Sequence, residues 1–333
     1  MGLTIHYTLK SKQDNAEQIV HQMRQLALDL PFEEVGEIVN LTGEQCNTEA
    51  RRAELQNGDE KNGTLFWLLI QAGQSVKCPW NNHISRTVNP THIIAFHTWP
   101  GPGSEAANFG LCLYPAEIEW EYDPEDDQRF HEASNGWHKF SWDKWLGHCK
   151  RTRTFTRSPA YYIEKRTVPT KLAGWRWSSF CKTQYSSNPE CGGIPNFLRC
   201  HISVITLLDR MAKLSGLKVS LDDEGKYGSS TYSDDYKAAS EAGRKPTYRR
   251  HKGLYNPAAL ASEVGEWNEM LSGIAGALSD ALAGSELQLE APIKDFPDFE
   301  QLEFKGQNQK YLTPFLKAMK AISVPKEQIA DED

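Results

Sequence analysis

The sequence is poor in the features that mark membrane, secreted and zinc-stabilised proteins. It has no apolar run near the roughly 18–20 residues of a membrane-spanning helix, and its mean hydropathy is −0.59. The first residues lack the charged, apolar and small-residue regions of a secretory signal, so we expect a cytoplasmic protein with no membrane contact. Seven cysteines without a CxxC pair argue against a disulfide framework and a zinc ribbon. We predict no metal site, and the sequence identifies no cofactor.

The distribution of charge is the most informative feature that is present. The chain carries a net charge of −7. Residues 117–132 have eight acidic residues and one basic residue, whereas residues 139–176 have ten basic residues and two acidic ones. Residues 244–252 add five basic residues and no acidic one. Two basic segments therefore interrupt an otherwise acidic chain, which indicates a localised anion-binding surface.

The first functional hypothesis is a polyanion-binding module whose ligand is nucleic acid or a nucleotide. Aromatic side chains interleave with the cations of 139–176, a combination typical of proteins that bind single strands. The loop 244–252 is the second expected contact. The predicted nucleic-acid-binding residues are Lys150, Arg151, Arg153, Arg157, Arg166, Arg249, Arg250 and Lys252. The alternative interpretation is that the acidic segment 117–132 lies against the basic one and compensates its charge.

Periodicity predicts an α+β fold of two lobes with mixed or antiparallel sheets. Strand–helix–strand units are expected at 3–41 and 175–221, and three apolar runs at 65–72, 92–98 and 109–114 are predicted strands. The loops between these runs are too short for crossover helices, which favours antiparallel pairing. Within the strand that begins at residue 175, one face is expected to carry Trp175, Trp177, Ser179 and Cys181.

The expected domains are an N-terminal lobe over 1–125, a C-terminal lobe over 126–290 with an insertion at 222–253, and an extended tail over 291–333 that carries a short helix. An apolar stripe with steps of three and four residues predicts a long amphipathic helix at 257–283. Small residues lie beside that stripe, where another backbone can approach closely: Gly265, Ser272, Gly276 and Ala283.

A second hypothesis is a small-molecule or nucleotide-processing enzyme with a pocket between the lobes, although the sequence leaves open whether the protein is an enzyme. His97, Glu105 and Cys112 flank a Gly/Pro-rich loop, so a histidine, a carboxylate and a thiol could converge there if the adjacent runs pair. The competing interpretation is that Cys112 is a small buried hydrophobic residue. Gly192 and Gly193 precede a predicted helix start and, with Lys182, form a candidate anion site.

The third hypothesis is a structural or assembly subunit. Helix 257–283 or the segment 291–322 would then contact a protein partner or a second copy of the chain. Residues 291–308 are predicted to be extended, and the apolar side chains in this region are too many to remain in water. We therefore expect the tail to pack along the first lobe or to reach across to a second copy.

Overall fold

The computed structural model describes residues 3–12, 15–47, 60–79, 85–122, 164–228, 255–282 and 289–309. The strands are β1 (Thr4–Ser11), β2 (Glu34–Val35), β3 (Val39–Thr42), β4 (Gln74–Lys77), β5 (Ser85–Val88), β6 (His92–Trp99), β7 (Ala107–Leu113), β8 (Glu117–Tyr122), β9 (Glu164–Pro169), β10 (Trp175–Lys182) and β11 (Leu217–Asp223). The α-helices are α1 (Ala16–Leu28), α2 (Glu60–Ala72), α3 (Gly193–Met211), α4 (Pro257–Leu282) and α5 (Phe299–Gln307). Among these described helices, none is long and apolar enough to cross a bilayer.

The main sheet is antiparallel throughout. Its strand order is β11–β1–β10–β7–β6–β2, and β3 also pairs with β6. Two further antiparallel pairs, β4–β5 and β8–β9, lie outside this sheet. Helices and antiparallel strands together confirm the predicted α+β class.

The central position of β1 joins regions that the sequence assigns to different lobes. β1 pairs along its length with β10 on one side and β11 on the other. β1 belongs to the predicted lobe 1–125, whereas β10 and β11 belong to 126–290. The main sheet therefore continues across the predicted boundary, because both strands that hydrogen-bond to β1 come after residue 125.

Each predicted strand–helix–strand unit contains two strands that are not neighbours. β1 lies between β10 and β11 in the unit 175–221. In the unit 3–41, three strands separate β1 from β3. Helices α1 and α3 connect these strands and contact one another. Together they pack on one side of the sheet, where they bury the apolar faces of β1 and β10.

One predicted strand is a helix. Residues 65–72, predicted as a strand, form the last two turns of α2. Leu68, Leu69 and Ala72 are fully buried, and Leu65 packs beside them at helical spacing. The prediction was wrong because a short run that is apolar on nearly every side fits both periods.

The carboxy-terminal part of the described chain packs on α4. α4 covers the region where the sequence predicts a helix at 257–283. The segment 291–308, predicted to be extended, instead forms a short 3-10 turn and α5, because Ile293 and Phe296 bury against Leu271 of α4. α5 crosses so close to α4 that a Cβ on Gly273 would meet the backbone of Gly306. The small-residue side of α4 therefore accepts a helix of the same chain.

Candidate functional site

One side of the strands β11–β1–β10 is open to solvent. The side facing α1 and α3 is buried, but the opposite side presents three straight rows of side chains that run across the strands. We call these nine residues the open face: Lys218, Lys10 and Arg176 in the first row, Ser220, Thr8 and Ser178 in the second, and Asp222, His6 and Phe180 in the third.

The first row consists only of cations. Lys10 lies directly opposite Lys218 on β11 and Arg176 on β10. Like charges in directly opposed positions of a sheet destabilise it. Within the part of the chain that the structure describes, none of these three side chains forms an ion pair, and the buried Nε of Arg176 has no hydrogen-bond partner. An anion bound along this row would relieve the repulsion.

The second row carries hydroxyl groups and lies between the other two. Thr8 Oγ1 and Ser178 Oγ are 3.3 Å apart, and Ser220 continues the row at the solvent-exposed edge strand. Hydroxyl groups both donate and accept hydrogen bonds, so they suit phosphate and sugar oxygens equally.

The third row places an exposed aromatic ring on this polar surface. The Phe180 side chain is 42 % exposed, and its ring lies 6.0 Å from the His6 ring, centroid to centroid, at an interplanar angle of 39°. Asp222, opposite His6, is the single carboxylate among the nine residues. The open face therefore combines a flat aromatic surface with three cations and one anion.

Helix α2 packs against the main sheet at β6, β7 and β10. Register places Cys112 of β7 beside Arg176 of β10, so both belong to the same side of the sheet. Gln71 of α2 accepts hydrogen bonds at 2.9 Å from Asn108 Nδ2 of β7 and from Ser179 Oγ, whose side chain belongs to the covered side of β10. α2 therefore links β7 to the covered side of β10.

The basic segments predicted from the sequence lie mostly outside the described residues. This holds for Lys150, Arg151, Arg153, Arg157, Arg249, Arg250 and Lys252, and for the loop 244–252 as a whole. Arg166 is described and lies on β9 opposite Trp120 of β8. The β8–β9 pair brings the start of the acidic segment against part of the basic one, and Lys165 Nζ is 3.5 Å from Glu119 Oε2. This exposed pair is an instance of the charge compensation that the sequence leaves open.

The three candidate catalytic residues do not converge. Cys112 is fully buried, and desolvation raises the pKa of its thiol. It lies opposite Ile93, four residues along β6 from His97, which corresponds to about 13 Å. His97 Nε2 instead contacts Glu34 at 2.8 Å. Glu105, in the loop between β6 and β7, forms an ion pair with Lys182 of β10. The Cys112 thiol and the His97 ring are therefore too far apart to act as a catalytic pair.

The backbone N–H groups of the candidate anion site at the start of α3 already form hydrogen bonds within the protein. The Gly192 N–H donates to Pro189 O at 3.1 Å, and the Gly193 N–H donates to Asn188 O at 2.9 Å. Both glycines have positive φ, which this tight turn requires. Lys182 Nζ lies 3.6 Å from Glu105 Oε1. The N–H groups of Gly192 and Gly193 and the ammonium group of Lys182 therefore already have partners within the protein. They do not form a set of free donors for an anion.

No sequence motif identifies the residues of the open face. Lys10 and Phe180 are single residues at the polar positions of their own strands, and neither belongs to a motif. The available signal is the alternation itself, which places Arg176, Ser178 and Phe180 opposite the predicted apolar face of β10. Comparisons of the chain with protein-family models, with curated proteins and with solved structures find no match.

Proposed function

We propose that the protein binds single-stranded nucleic acid across the open face. The observation that carries this proposal is the row Lys218–Lys10–Arg176 beside the exposed Phe180 ring on one side of the sheet. Cations neutralise phosphates and release counterions, while an aromatic surface stacks with bases that are not paired. Both requirements of a single strand are present on the same side of the sheet, with the hydroxyl row between them.

The extent of the row favours a polymer over a mononucleotide. Neighbouring strands lie about 4.8 Å apart, so three cations on three strands span about 10 Å. A surface of that width supports more than one phosphate group. The hydroxyl row between the cations and Phe180 supplies hydrogen-bonding partners for the sugars of a strand that crosses it.

The basic segments extend the proposal beyond the open face. Segment 139–176 ends at Arg176, which is a member of the cation row, and the loop 244–252 follows β11 in sequence. We include both segments in the proposed contact surface. Their cations would add phosphate contacts to the three that the open face supplies.

The test is a salt titration of binding to a fluorescently labelled single strand, measured by anisotropy with RNA and DNA of one sequence. Three phosphate contacts predict that a plot of the logarithm of the association constant against the logarithm of the salt concentration has a slope of about −2 or steeper. Replacing Lys10, Arg176 and Lys218 with Gln should weaken binding to both strands and remove about two units of that slope.

A matched control has the same change in net charge. The exposed cations Lys77, Lys213 and Lys294 belong to elements other than β11, β1 and β10 and are also replaced with Gln. This triple variant should retain the slope of the wild type. Absence of binding at low salt, or equal loss in both triple variants, would refute the proposal. A labelled duplex of the same sequence should bind more weakly than either single strand.

A further inference from the structure

β11 is the outermost strand at one end of the main sheet. Among the described strands it pairs with β1 on one side only, and its register with β1 is regular over all seven residues. At the opposite end of the sheet β2 has two residues and β3 has four, and such short edge strands limit pairing with other chains. β11 contains neither proline nor glycine. It therefore presents a long, regular edge to which another strand can pair.

The backbone groups of Val219 and Leu221 point toward this edge. The Glu224 N–H donates to Thr4 O at 3.1 Å, so Thr4 and Glu224 form a hydrogen-bonded pair. Because such pairs alternate along an antiparallel ladder, the even-numbered residues of β11 direct their N–H and C=O groups to β1, and the odd-numbered residues direct theirs away. Within the described residues, the N–H and C=O groups of Val219 and Leu221 have no hydrogen-bond partner.

The side chains of β11 are complementary to those of a second β11 that runs antiparallel to it. When Ser220 lies opposite Ser220 of the second copy, Lys218 lies opposite Asp222 and Asp222 lies opposite Lys218. Opposite charges in directly opposed positions stabilise a sheet. In the same register the outward backbone groups of Val219 meet those of Leu221, so both residues gain hydrogen-bond partners.

The charges also select this register over others. It pairs all seven residues of β11, and any slide of the second copy shortens the pairing. A slide of four residues in one direction opposes Lys218 to Lys218, and in the other direction it opposes Asp222 to Asp222. Like charges in these positions destabilise a sheet.

We propose that β11 is the contact surface for a second copy of the chain, which pairs antiparallel with it about Ser220. A two-fold axis normal to the sheet relates the copies, so each contact is made twice. The two open faces then lie on the same side of one continuous sheet. The argument concerns the strand edge and holds whether or not the open face binds nucleic acid.

The experiment is sedimentation velocity of the full chain over a range of protein concentrations, without oligonucleotide. The wild type should shift from the mass of one chain to that of two as concentration rises. Lys218→Asp and Asp222→Lys each replace two attractive pairs with two repulsive ones. Each should raise the dissociation constant of the dimer by about 10-fold or more.

Mixing the two single variants tests the pairing of these positions directly. In a dimer of one Lys218→Asp chain and one Asp222→Lys chain, opposite charges again face each other at both positions. The mixture should therefore dimerise although neither variant does so alone. Lys77→Asp is the matched control, since it makes the same charge change on exposed Lys77 of β4 and should dimerise as the wild type does.

Hydrogen exchange at single amides reports on the backbone. The amides of Val219 and Leu221 should exchange more slowly as protein concentration rises, because the second copy accepts their hydrogen bonds. The amide of Ser220 is directed to β1 and should change far less.

The proposal is overturned if the wild type sediments as one chain at every concentration. It is equally overturned if a dimer forms but tolerates both charge variants, if the mixed variants fail to dimerise, or if Lys77→Asp weakens the dimer to the same extent. Failure of oligonucleotide binding would remove the proposed function and leave these results unaffected.

Discussion

The two sides of β11–β1–β10 use the same backbone for opposite purposes. On the covered side, Ile5, Leu9 and Trp177 are fully buried against helices. On the open face, His6 and Lys10 of the same strand are exposed. Because successive side chains of a strand point to opposite sides, substitutions one residue apart act on different properties. Stability and ligand binding can therefore be altered separately in this protein.

The contrast extends to polar groups. On the covered side, fully buried His201 lies 3.0 Å from Asp223, and its Nδ1 lies 2.8 Å from the Thr183 hydroxyl. Asp223 also accepts hydrogen bonds from the N–H groups of Gly225 and Tyr227. The Asp223 carboxylate and the Nδ1 of His201 therefore have hydrogen-bond partners within the protein, as burial requires. Lys10 and Lys218 of the open face are instead exposed to solvent and lie opposite each other as like charges.

The largest effect is expected from Trp177→Ala on the covered side. The substitution leaves a cavity and removes the hydrogen bond from Trp177 Nε1 to Asn108 O, which is 2.8 Å long. A loss of about 3–5 kcal/mol in the free energy of unfolding is expected, measured by urea denaturation. Phe180→Ala on the other side of the same strand is the matched control and should cost less than about 1 kcal/mol. Equal losses would contradict the division between the two sides.

Phe180→Ala is expected to have the reverse profile in a binding experiment. Removal of the exposed ring should reduce affinity for a single strand by about 1–3 kcal/mol, because one base loses its stacking surface. Anisotropy titrations with one labelled oligonucleotide measure this change. Phe180→Tyr retains the stacking surface and should bind nearly as well as the wild type. Loss of binding in the Tyr variant would argue against stacking.

Alkaline pH should destabilise the covered side through Cys181. Desolvation by burial, with a smaller effect of Glu105, raises the pKa of this thiol well above its usual value. Above about pH 8.5 the unfolded state loses the proton first, so stability falls by up to about 1.4 kcal/mol per pH unit for this group. Urea denaturation between pH 8 and 10 should show a shallower decline for Cys181→Ala than for the wild type.

The control for this prediction is Cys191→Ala. Cys191 is only half-buried, in the turn before α3. Its removal should leave the pH dependence of stability as it is in the wild type. An identical decline in the Cys181 and Cys191 variants would show that the Cys181 thiol does not carry the effect.

The smallest effect is a gain. Lys10→Thr removes the central charge of the cation row and introduces a residue that favours strands, so the free energy of unfolding should rise by a few tenths of a kcal/mol up to about 1. The same variant should bind single strands more weakly. Lys10→Arg preserves the repulsion and should show neither change. A loss of stability in Lys10→Thr would show that the row is not a source of repulsion.

Local sequence patterns predict most of the helices and strands, but they do not predict which strands pair with each other in the sheet. Alternation in the β1 and β10 segments is visible in the sequence, including the shared face of Trp177 and Cys181. The register that places Thr8 beside Ser178 joins residues 170 positions apart, and no local signal specifies it. The open face exists only through that register, so its residues could not be recognised as a group.

The α2 segment shows a different limit. Its apolar run is compatible with a strand or a buried helix, and the choice depends on the sheet against which it packs. Because the run was predicted as a strand, Trp67 was expected inside a sheet, whereas it lies exposed on a helix. The exposure of this residue follows from tertiary packing.

The central place of β1 has a consequence for folding during synthesis. The Thr4 N–H donates to the Glu224 carboxylate, 220 residues along the chain, so β1 cannot complete its pairing until β11 has been made. At about 5–20 residues per second, a ribosome needs roughly 10–40 s to cover that distance. The hairpin of β6 and β7 can close meanwhile, because its strands are adjacent in sequence. Until β10 has been made, β1 exposes both edges and its apolar residues, and one edge remains open until β11 follows. Slow translation or chaperone binding should therefore govern the yield of native protein.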